Sequence, residues 1–204
     1  MRPTPFYNIV AGCSLPVLYG LFRLRAKGVE NVPEGTGFVL AANHFSNFDP
    51  WPLGMPLWPK HFLRFMAKSE LYWFPATLVL NNAGAFPVRR GQRDIAAIET
   101  AVELVKEGHV VTMFPEGTRR SKGLTKKWDA RPHSGAARIA LEAGAPLVPA
   151  ALKGTDRLSR FGPLRVAYGA PIDIDDLRGQ EVGPAARLAT ERLMARIAEL
   201  EASL

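Results

Sequence analysis

Three groups of residues have types and spacing suited to chemistry, and each follows an apolar run. The first is Asn43-His44-Phe45-Ser46-Asn47-Phe48-Asp49. Histidine is the side chain whose ordinary titration range suits proton abstraction near neutrality. It works as a base when a carboxylate on Nδ1 holds the ring in one tautomer. Asp49 follows His44 by five residues, so a turn between them returns the carboxylate to the imidazole. Asp49 also precedes Pro50, which predicts that the same residue caps a helix with proline at its first position. The second group is Phe114-Pro115-Glu116-Gly117-Thr118-Arg119-Arg120. A carboxylate, a glycine, a hydroxyl and two guanidiniums make a compact polar site, and arginine binds phosphate oxygens in pairs. The third is Gly84-Ala85-Phe86-Pro87-Val88-Arg89-Arg90-Gly91, where one or both arginines are placed to close an anion site with Arg119. Taken singly, each group is also explained as an ordinary solvated turn.

Such groups work only if the elements before them bring them together. Short continuous apolar runs read as buried strands. Phe38–Ala42 is such a run, and further strands are read at Phe62–Ala67, Ala85–Val88, Val110–Phe114, Leu147–Leu152 and near Leu164–Tyr168, with a short strand and turn at Gly28–Pro33. Between them, Ile95, Ile98, Val102 and Val105 form a helical stripe that starts near Asp94 and stops at Gly108. Further helices are predicted at Gly135–Ala143 and from Pro184 to the C-terminus. Pro50–Pro59 holds four prolines, so any helix there is short. Leu71–Val88 is an uncharged run of 18 residues broken by Asn81, Asn82 and Gly84, which reads as helix, turn and strand. Strands alternating with helices predict an α/β fold, a single domain with a mostly parallel mixed sheet flanked by helices. Ligands of such sheets bind at the carboxyl ends of the strands, where all three polar groups fall.

Composition narrows the function. The chain has 204 residues, 47% hydrophobic and 22% charged, which suits one folded domain and excludes wholesale disorder. An excess of 26 Lys and Arg over 19 Asp and Glu gives a net charge of +7 and implies an anionic partner. No basic-aromatic platform motif is present, so nucleic acid is not the expected one. The single cysteine, Cys13, excludes an intrachain disulfide and Cys-clustered metal sites. His44, His61, His109 and His133 are scattered, so no metal is expected. From Pro3 to Phe22 there are 20 uncharged residues, with Pro3, Pro5, Asn8, Ser14 and Pro16 among them. That makes a poor membrane span but a good interfacial helix or re-entrant pair. The expected division is therefore a membrane-associating segment, 1–24, and an α/β domain, 25–204. Val10-Ala11-Gly12-Cys13 has the form of a lipoprotein processing box, but the apolar run before it is short and only one arginine precedes it.

Taken together, these groups resemble the glycerolipid (lysophospholipid) acyltransferase family. The family's blocks are Asn-His-x4-Asp, Gly-x5-Arg, Phe-Pro-Glu-Gly-Thr-Arg and Val-Pro, in that order. Here they are Asn43-His44 with Asp49, Gly84 with Arg90, Phe114 to Arg119, and Val148-Pro149. Lys68-Ser69-Glu70-Leu71 and Gly135 to Ala140 are similar to family segments too. The resemblance covers roughly residues 25–170, and four ordered blocks are far more specific than one. Two positions depart from the pattern. Arg89 stands where many members have Asp, and His133-Ser134 precede Gly135 where a lysine is common.

The resemblance implies transfer of a fatty acyl group from acyl-CoA or acyl carrier protein to the free hydroxyl of a lysophospholipid. The first choice is 1-acylglycerol-3-phosphate, giving phosphatidic acid. Alternatives are another lysophospholipid, glycerol phosphate, an amino-acid lipid or a glycolipid as acceptor, or a non-catalytic module that binds anionic lipid. His44 is the implied general base and Asp49 its orienting partner. Arg89, Arg90, Glu116, Gly117, Thr118 and Arg119 are the implied substrate-binding residues, with Arg119 and Arg90 on the acceptor phosphate. No acyl-enzyme and no bound cofactor is implied. The apolar Leu71–Val88 region is the expected wall for an acyl chain. The expected setting is the cytoplasmic face of the cell membrane, peripheral or monotopic, with Arg23, Arg25 and Lys27 meeting anionic headgroups.

Overall fold

The structure, a computed structural model, describes residues 3–88, 95–117 and 132–204. Seven strands form one sheet: β1 (Arg25–Lys27), β2 (Phe38–Ala42), β3 (Leu63–Lys68), β4 (Ala85–Val88), β5 (Val110–Met113), β6 (Leu147–Lys153) and β7 (Arg165–Tyr168). Their order is β1-β7-β6-β2-β5-β3-β4, parallel throughout except for the antiparallel pair β6–β7. The helices are α1 (Pro5–Leu15), α2 (Pro50–Gly54), α3 (Ala76–Asn82), α4 (Ile95–Lys106), α5 (Gly135–Ala143) and α6 (Val182–Ala202). This is the α/β architecture that the alternation of runs predicts.

β2 lies at the middle of the sheet and is buried at every position, as a strand covered on both faces must be. Its residues alternate between two cores. Val39 and Ala41 join Val111, Leu147, Ile139, Leu193 and Ile197 under α4, α5 and α6. Phe38, Leu40 and Ala42 join Leu53, Leu18, Phe22 and Tyr168 under α1 and α2. The Tyr168 hydroxyl donates to the Leu53 carbonyl at 2.6 Å and ties α2 to the far strands of the sheet.

The short strand expected at Gly28–Pro33 lies earlier, at Arg25–Lys27, and Val29–Asn31 is a 3₁₀ turn. β1 is an edge strand, with Arg25 paired to Arg165 and Ala26 to Val166. Its register with β7 defines it, so an apolar run does not mark its place.

At the N-terminus the Thr4 side chain accepts from the Tyr7 amide and Pro5 opens the helix, the usual start signals. α1 passes into a π-helical turn, Pro16–Leu21. Ala11, Ser14, Leu18 and Phe22 pack on the domain, while Phe6, Ile9, Val10, Tyr19 and Leu21 face outward. The segment expected to associate with membrane is therefore also part of the second core. Among the described residues no helix is long and apolar enough to cross a membrane.

Candidate active site

β2, β5 and β6 run parallel side by side, so their carboxyl ends open on one edge, with Ala41 level with Met113 and Ala42 level with Ala150. The residue after β2 is Asn43. Its buried side chain donates to the Leu152 carbonyl at 3.0 Å and accepts from the Leu152 amide at 2.9 Å. This two-point clamp onto β6 fixes where the chain leaves the sheet and where His44 begins.

The turn predicted from the five-residue spacing is present, closed by the Asp49 amide on the Ser46 carbonyl at 3.1 Å. It brings Asp49 Oδ2 to 2.7 Å from His44 Nδ1. The same oxygen accepts from the Phe45 amide at 2.6 Å and the Ser46 amide at 2.9 Å. A carboxylate can only accept these bonds, so the His44 proton resides on Nδ1 and Nε2 is the nitrogen left for a substrate hydroxyl. Asp49 is fully buried and His44 is 9% exposed. Three donors on one oxygen hold the buried side chain in place, and it in turn fixes the imidazole.

The carboxylate does not cap α2 as well, although Asp49 sits at the cap position with Pro50 after it. Asp49 has helical backbone angles, φ −53° and ψ −39°, and makes no side-chain cap bond. Its side chain turns back into the His44 loop, so the two roles expected of it are not both filled.

One flank of the imidazole belongs to a residue that sequence reasoning assigned no task. Phe114 stacks on His44 with ring centroids 4.2 Å apart and planes 18° apart. It follows β5 directly, and β5 is the parallel neighbour of β2. Beyond it, the Gly117 amide donates to the Phe114 carbonyl at 2.9 Å and the His133 amide to the Pro115 carbonyl at 2.8 Å. Gly117 has φ +69°, and a Cβ there would overlap the His133 imidazole. The glycine of the Phe-Pro-Glu-Gly block thus meets a steric and a backbone demand at once. Glu116 lies partly buried in this turn. Arg89, Arg90, Thr118 and Arg119 lie outside the described residues. Segments 89–94 and 118–131 carry nine Lys and Arg against two Asp, an excess equal to the +7 of the whole chain. They follow Val88 and Gly117, just past the ends of β4 and β5.

Two grooves flank this edge on opposite faces of the sheet. The first, about 260 Å³, is apolar and runs between α1, α2, β3 and α3. Phe6, Tyr7 and Val10 line one bank, Val79 and Ala83 the other, and Asn47 and Phe48 of the His44 loop stand at its end. Of the Leu71–Val88 run, expected to wall an acyl chain, Val79, Asn82 and Ala83 line this groove, and α1 supplies the other bank. The second, about 860 Å³, has an apolar floor of Met66, Val88, Ile95 and Ile98 and a polar rim that includes His133, Ser134, Arg138 and Arg187. Among the described residues no group of three or more His, Cys, Asp or Glu side chains is arranged to hold a metal ion.

The acyltransferase family model matches residues 23–153, which include both the His44 loop and the Phe114 turn. The chain belongs to the acyltransferase family. It is 35% identical over 181 residues to the 1-acyl-sn-glycerol-3-phosphate acyltransferase of Bacillus subtilis, covering 86% of each chain. It is 30% identical to a chloroplast 1-acyl-sn-glycerol-3-phosphate acyltransferase of Brassica napus over 167 residues, 76% of this chain and 46% of that protein. Among solved structures it resembles the 1-acyl-sn-glycerophosphate acyltransferase of Thermotoga maritima, with a TM-score of 0.65 and 25% identity over 96% of this chain and 78% of that one. In this acyltransferase the Asn-His-x4-Asp block and the described part of the Phe-Pro-Glu-Gly block follow β2 and β5, Gly84 leads into β4 with Arg90 outside the described residues, and the Val-Pro block lies in β6. Pro149 of the Val-Pro block is buried in β6, level with Ala41 of β2.

Proposed function

We propose that this acyltransferase moves a fatty acyl group from acyl-CoA or acyl carrier protein to the free hydroxyl of 1-acylglycerol-3-phosphate, giving phosphatidic acid. The observation that carries the reading is the His44–Asp49 pair at 2.7 Å with Nδ1 committed to the carboxylate. His44 Nε2 takes the proton of the acceptor hydroxyl as that oxygen attacks the thioester carbonyl. Asp49 holds the tautomer and stabilises the imidazolium that forms. The proton then goes to the departing thiolate, and no acyl-enzyme intervenes. Positioned proton transfer of this kind contributes about 10²–10⁴-fold. The rest comes from holding both substrates at the edge and from donors at the developing oxyanion. Backbone amides near Glu116 and Thr118 are the candidates for the latter, the Gly117 amide being taken by the Phe114 carbonyl. Arg119 and Arg90, with Arg89 beside it, grip the acceptor phosphate, and Thr118 completes that loop. No metal or bound cofactor takes part. The resemblance in sequence to enzymes named for this acceptor supports the choice of substrate.

The enzyme works at the cytoplasmic face of the membrane as a peripheral or monotopic protein. Support comes from the outward apolar face of α1 and the π-helical turn, followed at once by exposed Arg23 and Arg25. Lys27 is less suited to headgroups than its place in sequence suggests, because its ammonium donates to the Ser203 carbonyl at 2.8 Å. The deciding experiment is a thioester-cleavage assay with lysophosphatidate, lysophosphatidylcholine and glycerol phosphate as acceptors. Rapid release of thiol with lysophosphatidate alone supports the reading, and equal rates with all three would refute the acceptor assignment. A second assay compares wild-type protein with Phe6→Ser with Ile9→Ser, on the outward face of α1, in flotation with anionic vesicles, where the variant should float less.

A further inference from the structure

The apolar groove has two banks, and both are unusual on their outer sides. One bank is α1, from the uncharged run Pro3–Phe22. The other is α3, from the uncharged run Leu71–Val88, with the Trp73–Phe74 turn leading into it. They meet where the Thr4 hydroxyl donates to Asn82 Oδ1 at 2.9 Å. Exposed on this side and outside the groove lining stand Leu71, Trp73, Phe74 and Leu78. Trp73 is 60% exposed and Phe74 81%, the latter the most exposed large hydrophobic side chain among the described residues. They follow the carboxyl end of β3, on the edge that holds His44, and neither lines the groove. A contiguous exposed apolar patch of this kind marks an interaction surface.

We infer that the Trp73–Phe74 turn is a second membrane anchor, set across the groove from α1, so that both banks enter the same lipid leaflet. The inference rests on the lipid-acceptor reading above. Three observations favour a bilayer over a protein partner. Neither bank carries a charge over its uncharged run, whereas protein interfaces keep a polar rim. Tryptophan is at home at the depth of lipid headgroups, with its ring in the apolar layer and its N–H toward water. The basic excess of the chain lies in segments that follow β4 and β5, next to β3 in the sheet, and suits an anionic surface.

The test uses the full chain and vesicles of phosphatidylcholine with about one third phosphatidylglycerol. The double variant Trp73→Ser with Phe74→Ser should lower the fraction that floats by about tenfold or more. Turnover of a short-chain thioester and a short-chain lysophosphatidate, both free in solution, should not change. Brominated lipids should quench the emission of the wild-type protein, and Trp73→Phe should remove most of that quenching although Trp51, Trp58 and Trp128 remain. Two outcomes overturn the inference. In one, the double variant floats as well as wild type while Phe6→Ser with Ile9→Ser does not, which leaves α1 as the whole contact. In the other, the wild-type chain sediments as a dimer that the double variant dissociates, which makes a second copy the partner. If the acceptor reading itself is wrong, the signature differs: soluble lysophosphatidate is not acylated by any form of the protein.

Discussion

Phe65 and Met66 are neighbours on β3, yet they open into different grooves. The strand alternation sends Phe65 to the face covered by α1, α2 and α3, and Met66 to the face covered by α4, α5 and α6. The first groove is walled almost wholly by apolar side chains. The second carries His133, Arg138 and Arg187 on its rim. The proposed reaction calls for an apolar seat for hydrocarbon and a polar one for a phosphate-bearing headgroup, and the second rim also carries Glu181 and Glu142, the latter paired to Arg138 at 2.6 Å. The sheet keeps the two grooves apart, and the His44 loop, which follows β2, two strands away from β3, reaches the first groove through Asn47 and Phe48.

His44 is the proposed base for either kind of substrate, so its loss is the largest expected effect. His44→Ala should lower turnover by at least about 10²-fold, whatever the chain length or headgroup offered. Asp49→Asn should be severe as well, since an amide no longer holds the tautomer that frees Nε2. Retention of most turnover with one substrate class would separate the two grooves chemically and break the comparison.

Next come the polar contacts. Arg119→Ala should cost about 1.5–3 kcal/mol of transition-state binding, roughly 10–100-fold in kcat/KM, for an acceptor that bears phosphate. A neutral acceptor should lose little. Equal losses for both would remove Arg119 from the phosphate site and move that role to Arg89 or Arg90.

The apolar groove is probed by filling it. Val79→Trp should reduce kcat/KM by about tenfold with a long-chain thioester and leave a short-chain one unaffected, because overpacking costs about 1–3 kcal/mol. Arg187→Ala, on the opposite face, should not discriminate by chain length. A chain-length effect in the second variant and not the first would exchange the assignments of the two faces.

The smallest effect concerns the frame. Tyr168→Phe removes the buried bond to the Leu53 carbonyl and should cost about 1–3 kcal/mol in denaturant unfolding. Burial pushes the Tyr168 phenol well above its usual range, so the folded protein keeps a proton that the unfolded chain releases near pH 10. That part of the stability is therefore present below about pH 10 and falls away as pH rises further, toward the folded value. The Phe variant should show a shallower alkaline decline, and an unchanged slope would mean that other groups set it.

The sequence by itself determined the local things. Largely apolar runs marked six of the seven strands to within about a residue, because strands covered on both faces are mostly apolar, as β2 is throughout. The interval between His44 and Asp49 sufficed for their pairing, since a turn closed by the Asp49 amide on Ser46 is a short-range matter. The charge excess pointed to an anionic partner without any coordinates. What only the tertiary structure decided depends on residues far apart in the chain. β1 exists through its register with β7, about 140 residues away, and no apolar run announces it. Asp49 has the sequence context of a helix cap, but its carboxylate is drawn into a buried site with three donors and leaves the cap unmade. Phe114 reaches His44, and α1 becomes a wall of the groove beside α3, only because parallel strands bring their carboxyl ends together and the helices must cover them. Contacts of that kind are set by how layers pack, and the order of residues along one segment carries no record of the segment that will lie across from it.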